Sequence, residues 1–134
     1  MTAAFVDSNV LVPYLSGDDP DRMAMARGIL ETNEPRVLSV VVLLETAWVL
    51  RRVYGYETEA VAATLIDLLA RTNIEVAELP TGLVQAMIGR WRDHRIGSVG
   101  DALIAASMIH AGATTIHSLD RRFPRDLGWE VADG

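Results

Sequence analysis

The sequence predicts an α/β fold built on a mainly parallel five-stranded sheet. Five short apolar runs of strand length alternate with stretches whose apolar residues recur every three or four positions, the period of a half-buried helix. The segments between successive strands are long enough to hold a helix, which a parallel crossover requires and a hairpin does not. At 134 residues, 50% hydrophobic and 22% charged, the chain fits one compact domain over residues 1–134, and a chain of that size buries roughly two-thirds of its unfolded surface.

Each element has a local signature. Residues 3–6 form an apolar run that ends at Asp7, after which Ser8 reads as the cap of a short helix to Tyr14. Asp19 ahead of Pro20 announces a second helix, with Met23, Ala26 and Leu30 on one face and residues 33–35 ending it. Residues 36–39 read as a strand, and residues 40–54 as a strongly apolar helix closed by Gly55. Residues 57–71 place Val61, Leu65, Leu68 and Leu69 on one helical stripe. A strand at 74–77 precedes a helix after Pro80, whose apolar face is Leu83, Met87 and Trp91. A loop containing Gly97 and Gly100 leads to a helix that opens at Asp101 and stops at Gly112; residues 114–117 and 129–132 complete the strands. In such sheets ligands sit outside the carboxyl ends of the strands, where strand order reverses.

Composition narrows the chemistry. The chain carries 18 acidic and 12 basic residues, a formal charge of -6, and every basic residue is arginine. Without lysine there is no P-loop ammonium, no PLP Schiff base and no lysine-assisted aspartyl phosphate. With no cysteine there is no disulfide framework, thiolate zinc site or iron-sulfur cluster, so any metal must sit on oxygen or imidazole. No apolar run approaches the roughly 20 residues of a membrane span, and the N-terminus lacks the basic flank and apolar stretch of a signal peptide, so the expectation is a soluble cytoplasmic protein without membrane contact. The acidic balance opposes broad attraction to nucleic acid, though a local basic patch is compatible with it.

Most acidic residues fall at helix ends or in polar stretches, where water solvates them; four do not. Asp7 ends the first strand, Asp101 opens a helix, and Asp120 follows the fourth strand. Glu45 interrupts an apolar helix, with Val41, Trp48 and Val49 one turn away, so it is expected on a buried face. Taken singly, each has an ordinary account: a turn, a cap, or an ion pair such as Glu45 with Arg52. If the first and fourth strands are neighbours, however, the four converge. Carboxylates about 5 Å apart repel by roughly 3 kcal/mol per pair at an effective dielectric near 20. Such a cluster persists only around cations, and hard oxygen ligands favour Mg²⁺ or Mn²⁺ over zinc.

The residues Phe5-Val6-Asp7-Ser8-Asn9-Val10-Leu11, Leu44-Glu45-Thr46 with Trp48-Val49-Leu50, Asp101-Ala102-Leu103-Ile104-Ala105-Ala106 and Ser118-Leu119-Asp120-Arg121-Arg122-Phe123 together resemble the PIN-domain family, and within it the VapC-type toxins. The resemblance covers essentially the whole chain. It implies a three-layer α/β/α domain with sheet order 3-2-1-4-5. It further implies that Asp7, Glu45, Asp101 and Asp120 form an acidic quartet holding one or two Mg²⁺ or Mn²⁺ ions. It also implies endoribonuclease activity, homodimerisation and inhibition by a cognate antitoxin protein encoded nearby. Ser118 stands where the family often has threonine, and the missing lysines leave phosphate contacts to arginine.

On that basis the expected chemistry is metal-assisted hydrolysis of an RNA phosphodiester. Asp7 and Asp101 are the first candidates for metal ligands, Asp120 completes or extends the site, and Glu45 ligates a second ion or orients the attacking water. Ser8, Asn9 and Ser118 have the short polar side chains that orient ligands from behind. Arg90, Arg92 and Arg95 beside Trp91 are a candidate RNA track, and Arg121, Arg122 and Arg125 a second. The helices over 40–54 and 57–71 offer a surface for an antitoxin segment. Metal-assisted phosphodiester chemistry does not distinguish the sugar, so a nuclease for DNA or RNA processing outside a toxin-antitoxin pair remains an alternative, as does a non-catalytic α/β interaction domain.

Overall fold

The computed structural model describes residues 3–119, 123 and 130–132. Strand β1 (Ala4–Phe5) pairs in parallel with β2 (Arg36–Leu38), which pairs in parallel with β3 (Ile74–Val76). The register sets Phe5 opposite Val37 and Leu38 opposite Val76. The ladder continues past these bounds: Val6 N–H donates to the Val37 carbonyl at 3.0 Å, and Ala77 N–H to the Leu38 carbonyl at 2.9 Å. Strands β4 (Thr115–His117) and β5 (Glu130–Ala132) form a second parallel pair. The orders 3-2-1 and 4-5 are thus both present, as two ladders, with no ladder joining β1 to β4 among the described residues.

Helix starts follow their caps. Helix α1 (Ser8–Ser16) is capped by Asp7 rather than Ser8, since the Asp7 carboxylate accepts the Ser8 N–H. It runs two residues beyond Tyr14 and ends at Gly17, whose φ of 65° suits glycine. Helix α2 (Pro20–Leu30) is capped as expected by Asp19, which accepts from the Asp21 and Arg22 amides. In α3 (Val40–Arg52), Ser39 Oγ accepts the Val42 N–H at 3.1 Å. Gly55 follows three residues after the last helical one. Helix α4 (Thr58–Leu69) buries its predicted stripe, while α5 (Thr81–Arg92) buries Met87 and Trp91 together with Val84 and Ile88 and leaves the predicted Leu83 half-buried. Helix α6 (Val99–Ala111) starts two residues before Asp101, because Ser98 is its cap; Gly112, with φ 72°, closes it.

The core is the meeting of these stripes. Leu11, Leu30, Leu38, Leu43, Leu50, Leu65 and Ile88 are fully buried. Helix α4 packs on α5, and α5 on α6, while α3 packs on α1, α4 and α6. Helix α3, which carries Glu45, therefore touches both helices whose first turns follow or contain Asp7 and Asp101. No helix among the described residues is long and apolar enough to cross a membrane.

Candidate metal centre

Asp7 lies two residues past β1, at the carboxyl end of a parallel strand. Its side chain is exposed and oriented by two neighbours: Oδ1 accepts the Ser8 N–H at 2.7 Å and the Ser8 hydroxyl at 3.4 Å, and Oδ2 accepts the Asn9 amide at 3.1 Å. Ser8 and Asn9 are thus the residues whose donors meet this carboxylate. No arginine forms an ion pair with Asp7 among the described residues.

Asp101 is the third residue of α6, half-buried, and its backbone N–H donates to Ser98 Oγ at 3.0 Å. Ser98-Val99-Gly100-Asp101 has the spacing of a capping box, which places the acidic side chain in the positively polarised first turn. The chain around Asp101 reaches α3 directly: a Cβ at Gly100 would stand 4.0 Å from Leu44 Cδ1, the neighbour of Glu45.

Glu45 requires a correction. It is exposed, and so are its helical neighbours Val41 at 61% and Trp48 at 57%. The face of α3 turned to the core is Leu43, Thr46, Ala47 and Leu50. The apolar stripe shared by Glu45 is thus a surface stripe, and its charge carries no burial penalty. Arg52 does not pair with it; that guanidinium lies over the Trp48 ring, 6.0 Å from its centroid.

Ser118 is half-buried just after β4. Asp120, Arg121, Arg122 and Arg125 lie outside the described residues. Arg90, Arg92 and Arg95 line one shallow groove of about 570 Å³, but Trp91 is only 5% exposed and belongs to the core, so this groove has no stacking ring. Arg92 Nε also donates to Asp93 at 3.1 Å. That bond holds the Asp93 carboxyl below its ordinary range and raises Arg92 further.

Two contributors were not singled out by sequence. Glu78, two residues past β3, accepts the Val40 N–H at 3.1 Å and so anchors the first turn of α3. Its position after a strand at the carboxyl end of the sheet was the available signal. Trp48 is the second, an aromatic ring in the surface stripe of α3. Beside Ser8 and Asn9 opens a groove of about 390 Å³ that runs past Asp18 and Asp19 to Arg22 and Tyr54. Asp18 there is held below the ordinary carboxylate range, first by the Ser16 hydroxyl and then by that of Tyr54, at 2.9 Å each.

The donor set suits a hard divalent cation, because it offers carboxylate oxygens and no thiolate. Mg²⁺ keeps several of its waters and needs only one or two protein carboxylates. Among the described residues no group of three or more histidine, aspartate or glutamate side chains converges on a point, so the described portion of the site offers separate carboxylates on packed elements rather than a closed cage.

In open α/β sheets ligands bind outside the carboxyl ends of the strands, and Asp7, held by hydroxyl and amide donors, stands at one of those ends. Residues 4–126 match the PIN domain, and the chain belongs to that family. PIN domains are generally metal-dependent nucleases acting on nucleic acid, typically with Mg²⁺ or Mn²⁺. No curated protein matches the chain.

Proposed function

We propose that this chain is a Mg²⁺- or Mn²⁺-dependent endoribonuclease, the toxin of a type II toxin-antitoxin pair of the VapC type, formed by a single PIN domain over residues 1–134. The observation that carries this reading is Asp7: a carboxylate at the carboxyl end of β1, oriented by Ser8 and Asn9 and balanced by no arginine among the described residues. Asp7 and Asp101 hold the cation, with Asp120 and Glu45 completing or extending the site. In this reading the two ladders join through β1 and β4 in the order 3-2-1-4-5.

A bound divalent cation supplies Lewis-acid polarisation of the phosphate and makes water a better nucleophile near neutral pH. The chain's residues do the rest. Ser8 and Asn9 fix the Asp7 oxygens in one orientation, and the Ser98 cap fixes the backbone of Asp101. In this reading Glu45, exposed on α3, ligates a second ion or orients the attacking water, and Ser118, two residues before Asp120 in the sequence, supplies a hydroxyl. Arginines, Arg90, Arg92, Arg95, Arg121 and Arg122 among them, offset phosphate charge in place of lysine. An apolar groove of about 640 Å³ between α1 and α2, lined by Val10, Pro13, Met25 and Ile29, supports a protein partner such as the antitoxin. The homodimer and cytoplasmic location belong to the same reading.

The test is cleavage of structured RNA and matched DNA with Mg²⁺ or Mn²⁺ and with chelator, using the parent, Asp7→Asn and Asp101→Asn. RNA alone is cut, only with metal, and neither variant cuts it. Cleavage that survives chelation or both substitutions overturns the metal mechanism, and cleavage of DNA alone overturns the ribonuclease assignment. Expression of the chain arrests growth, and co-expression of a neighbouring small antitoxin relieves it; arrest by the Asp7→Asn variant would count against the toxin role.

A further inference from the structure

We propose that the groove between α3 and the start of α6 is a nucleobase subsite: one unpaired base of the RNA substrate stacks on the Trp48 indole, and its flanking phosphates meet Arg51 and Arg52. This rests on the ribonuclease reading and adds to it where the strand lies.

The groove holds about 230 Å³ and is lined by Trp48, Arg51, Arg52, Trp91, Ser98 and Val99, among others. Trp48 is 57% exposed although it is the largest side-chain type, and its ring packs into no core. An exposed indole offers an unpaired base an aromatic face on which to stack. The Arg52 guanidinium sits 6.0 Å from the ring centroid, at the outer edge of cation-π range. Arg51 Nη1 donates to the Tyr56 carbonyl at 2.9 Å, which fixes its fork at the groove edge. Neither arginine has an ion-pair partner within 4.0 Å among the described residues. In a chain without lysine, these are cations fixed beside an aromatic plane.

Place and size select the occupant. Ser98 and Val99 begin α6, so the groove ends at the helical turn that carries Asp101, and Trp48 lies one turn along α3 from Glu45. A volume below the roughly 300 Å³ at which small-molecule pockets begin suits one planar ring. It does not suit the successive i, i+3, i+4, i+7 anchors of a docking helix. The Arg90, Arg92 and Arg95 groove lacks this combination, because no aromatic ring lines it. Stacking needs a free base face, so the substrate at this point is single-stranded.

Binding of a short labelled oligoadenylate is measured in chelator, where no cleavage occurs, and cleavage of RNA is measured separately with Mg²⁺. Trp48→Ala weakens binding about tenfold, within the range found for loss of one stacked base, whereas Trp48→Phe stays within about threefold of the parent. Arg52→Ala lowers the dependence of log affinity on log salt by about 0.7, the value for one single-strand phosphate. Melting temperature and sedimentation confirm that the variants fold as the parent does. Equal binding by Trp48→Ala and a parent that binds and cleaves RNA overturns the subsite and leaves the ribonuclease reading standing. So does a Trp48→Ala variant whose affinity holds while its oligomeric state changes, which assigns the stripe to a protein interface. A parent that binds no oligoadenylate in chelator overturns the subsite as well. Trp48-dependent binding by a parent that never cleaves RNA supports the subsite and defeats the ribonuclease assignment.

Discussion

Asp7→Asn and Asp7→Ala separate the two tasks of one side chain. The Asp7 carboxylate caps α1 through Oδ1, 2.7 Å from the Ser8 N–H, and meets the Asn9 amide through Oδ2 at 3.1 Å. Asparagine caps about as well as aspartate, since its Oδ1 accepts the same bond; only the Asn9 amide must turn to present its oxygen. Asp7→Asn is therefore expected to cost no more than about 0.5 kcal/mol, whereas Asp7→Ala removes the cap and costs about 1 kcal/mol, within a range of about 0.5–2. For the 134 residues of this chain, about 2.1 cal/mol/K per residue gives an unfolding entropy near 0.28 kcal/mol/K, so 1 kcal/mol lowers Tm by about 4 °C. Metal binding adds a second, opposite reading. At Mg²⁺ ten times its Kd the parent gains RT ln 11, about 1.4 kcal/mol or about 5 °C, and both variants lose most of that gain. Thermal unfolding followed by circular dichroism, with and without Mg²⁺, reads both effects in one experiment, beside an RNA cleavage assay. If Asp7→Asn melts as low as Asp7→Ala, the capping argument is wrong. If either variant keeps the parent's Mg²⁺ shift and cleavage rate, Asp7 is not a metal ligand.

Two further outcomes follow from the fold. Leu65, fully buried on α4 where it packs against α5, should lose about 3 kcal/mol on Leu65→Ala, read as a lower urea midpoint at unchanged slope; a loss under about 1 kcal/mol would mean that the α4 stripe is not core. Asp18 has a lowered pKa, so its contribution to stability is fully present above the unfolded value of about 3.9 and disappears as pH falls through the lower folded value. Tyr54→Phe removes one of its two hydroxyl donors and should move the Asp18 carboxyl titration, followed by NMR, toward the ordinary value; an unmoved titration refutes the Tyr54 contribution.

The elements were legible where local chemistry declares them. Asp19-Pro20, the Gly112 stop and the Val61, Leu65, Leu68, Leu69 stripe all act within one or two turns, so sequence spacing carries them. The start of α6 was misplaced because Asp101 draws attention as an acidic first-turn residue, while the cap is Ser98, three residues earlier and between Gly97 and Gly100 in the sequence. Glu45 shows a deeper limit. Periodicity says that Val41, Glu45 and Trp48 share a face, but Leu43, Ala47 and Leu50 share another, and only tertiary packing decides which one meets the core. The same ambiguity put Trp48, within an apolar run, on the surface, whereas Trp91, on the apolar face of α5 beside three arginines, is core as its spacing predicts. Of the proposed quartet, Asp7, Glu45 and Asp101 fall on α1, α3 and α6 or their caps, with α3 packed against the other two. The sequence conveyed the types and order of these residues, but not the sides from which they approach.

The exposed stripe of α3 has a colloidal consequence. Val41, Leu44 and Trp48 stand at i, i+3 and i+7 on the surface of a molecule with a net charge of -6. Their exposed carbon favours adhesion between copies, and the shared negative charge resists it over a distance set by salt, about 10 Å at 0.1 M and about 3 Å at 1 M. Ionic strength thus sets how closely two molecules approach before contact attraction takes over, and a divalent cation that neutralises carboxylates weakens the same barrier. In the proposed metal-dependent reading, solubility and metal loading draw on the same pool of charge.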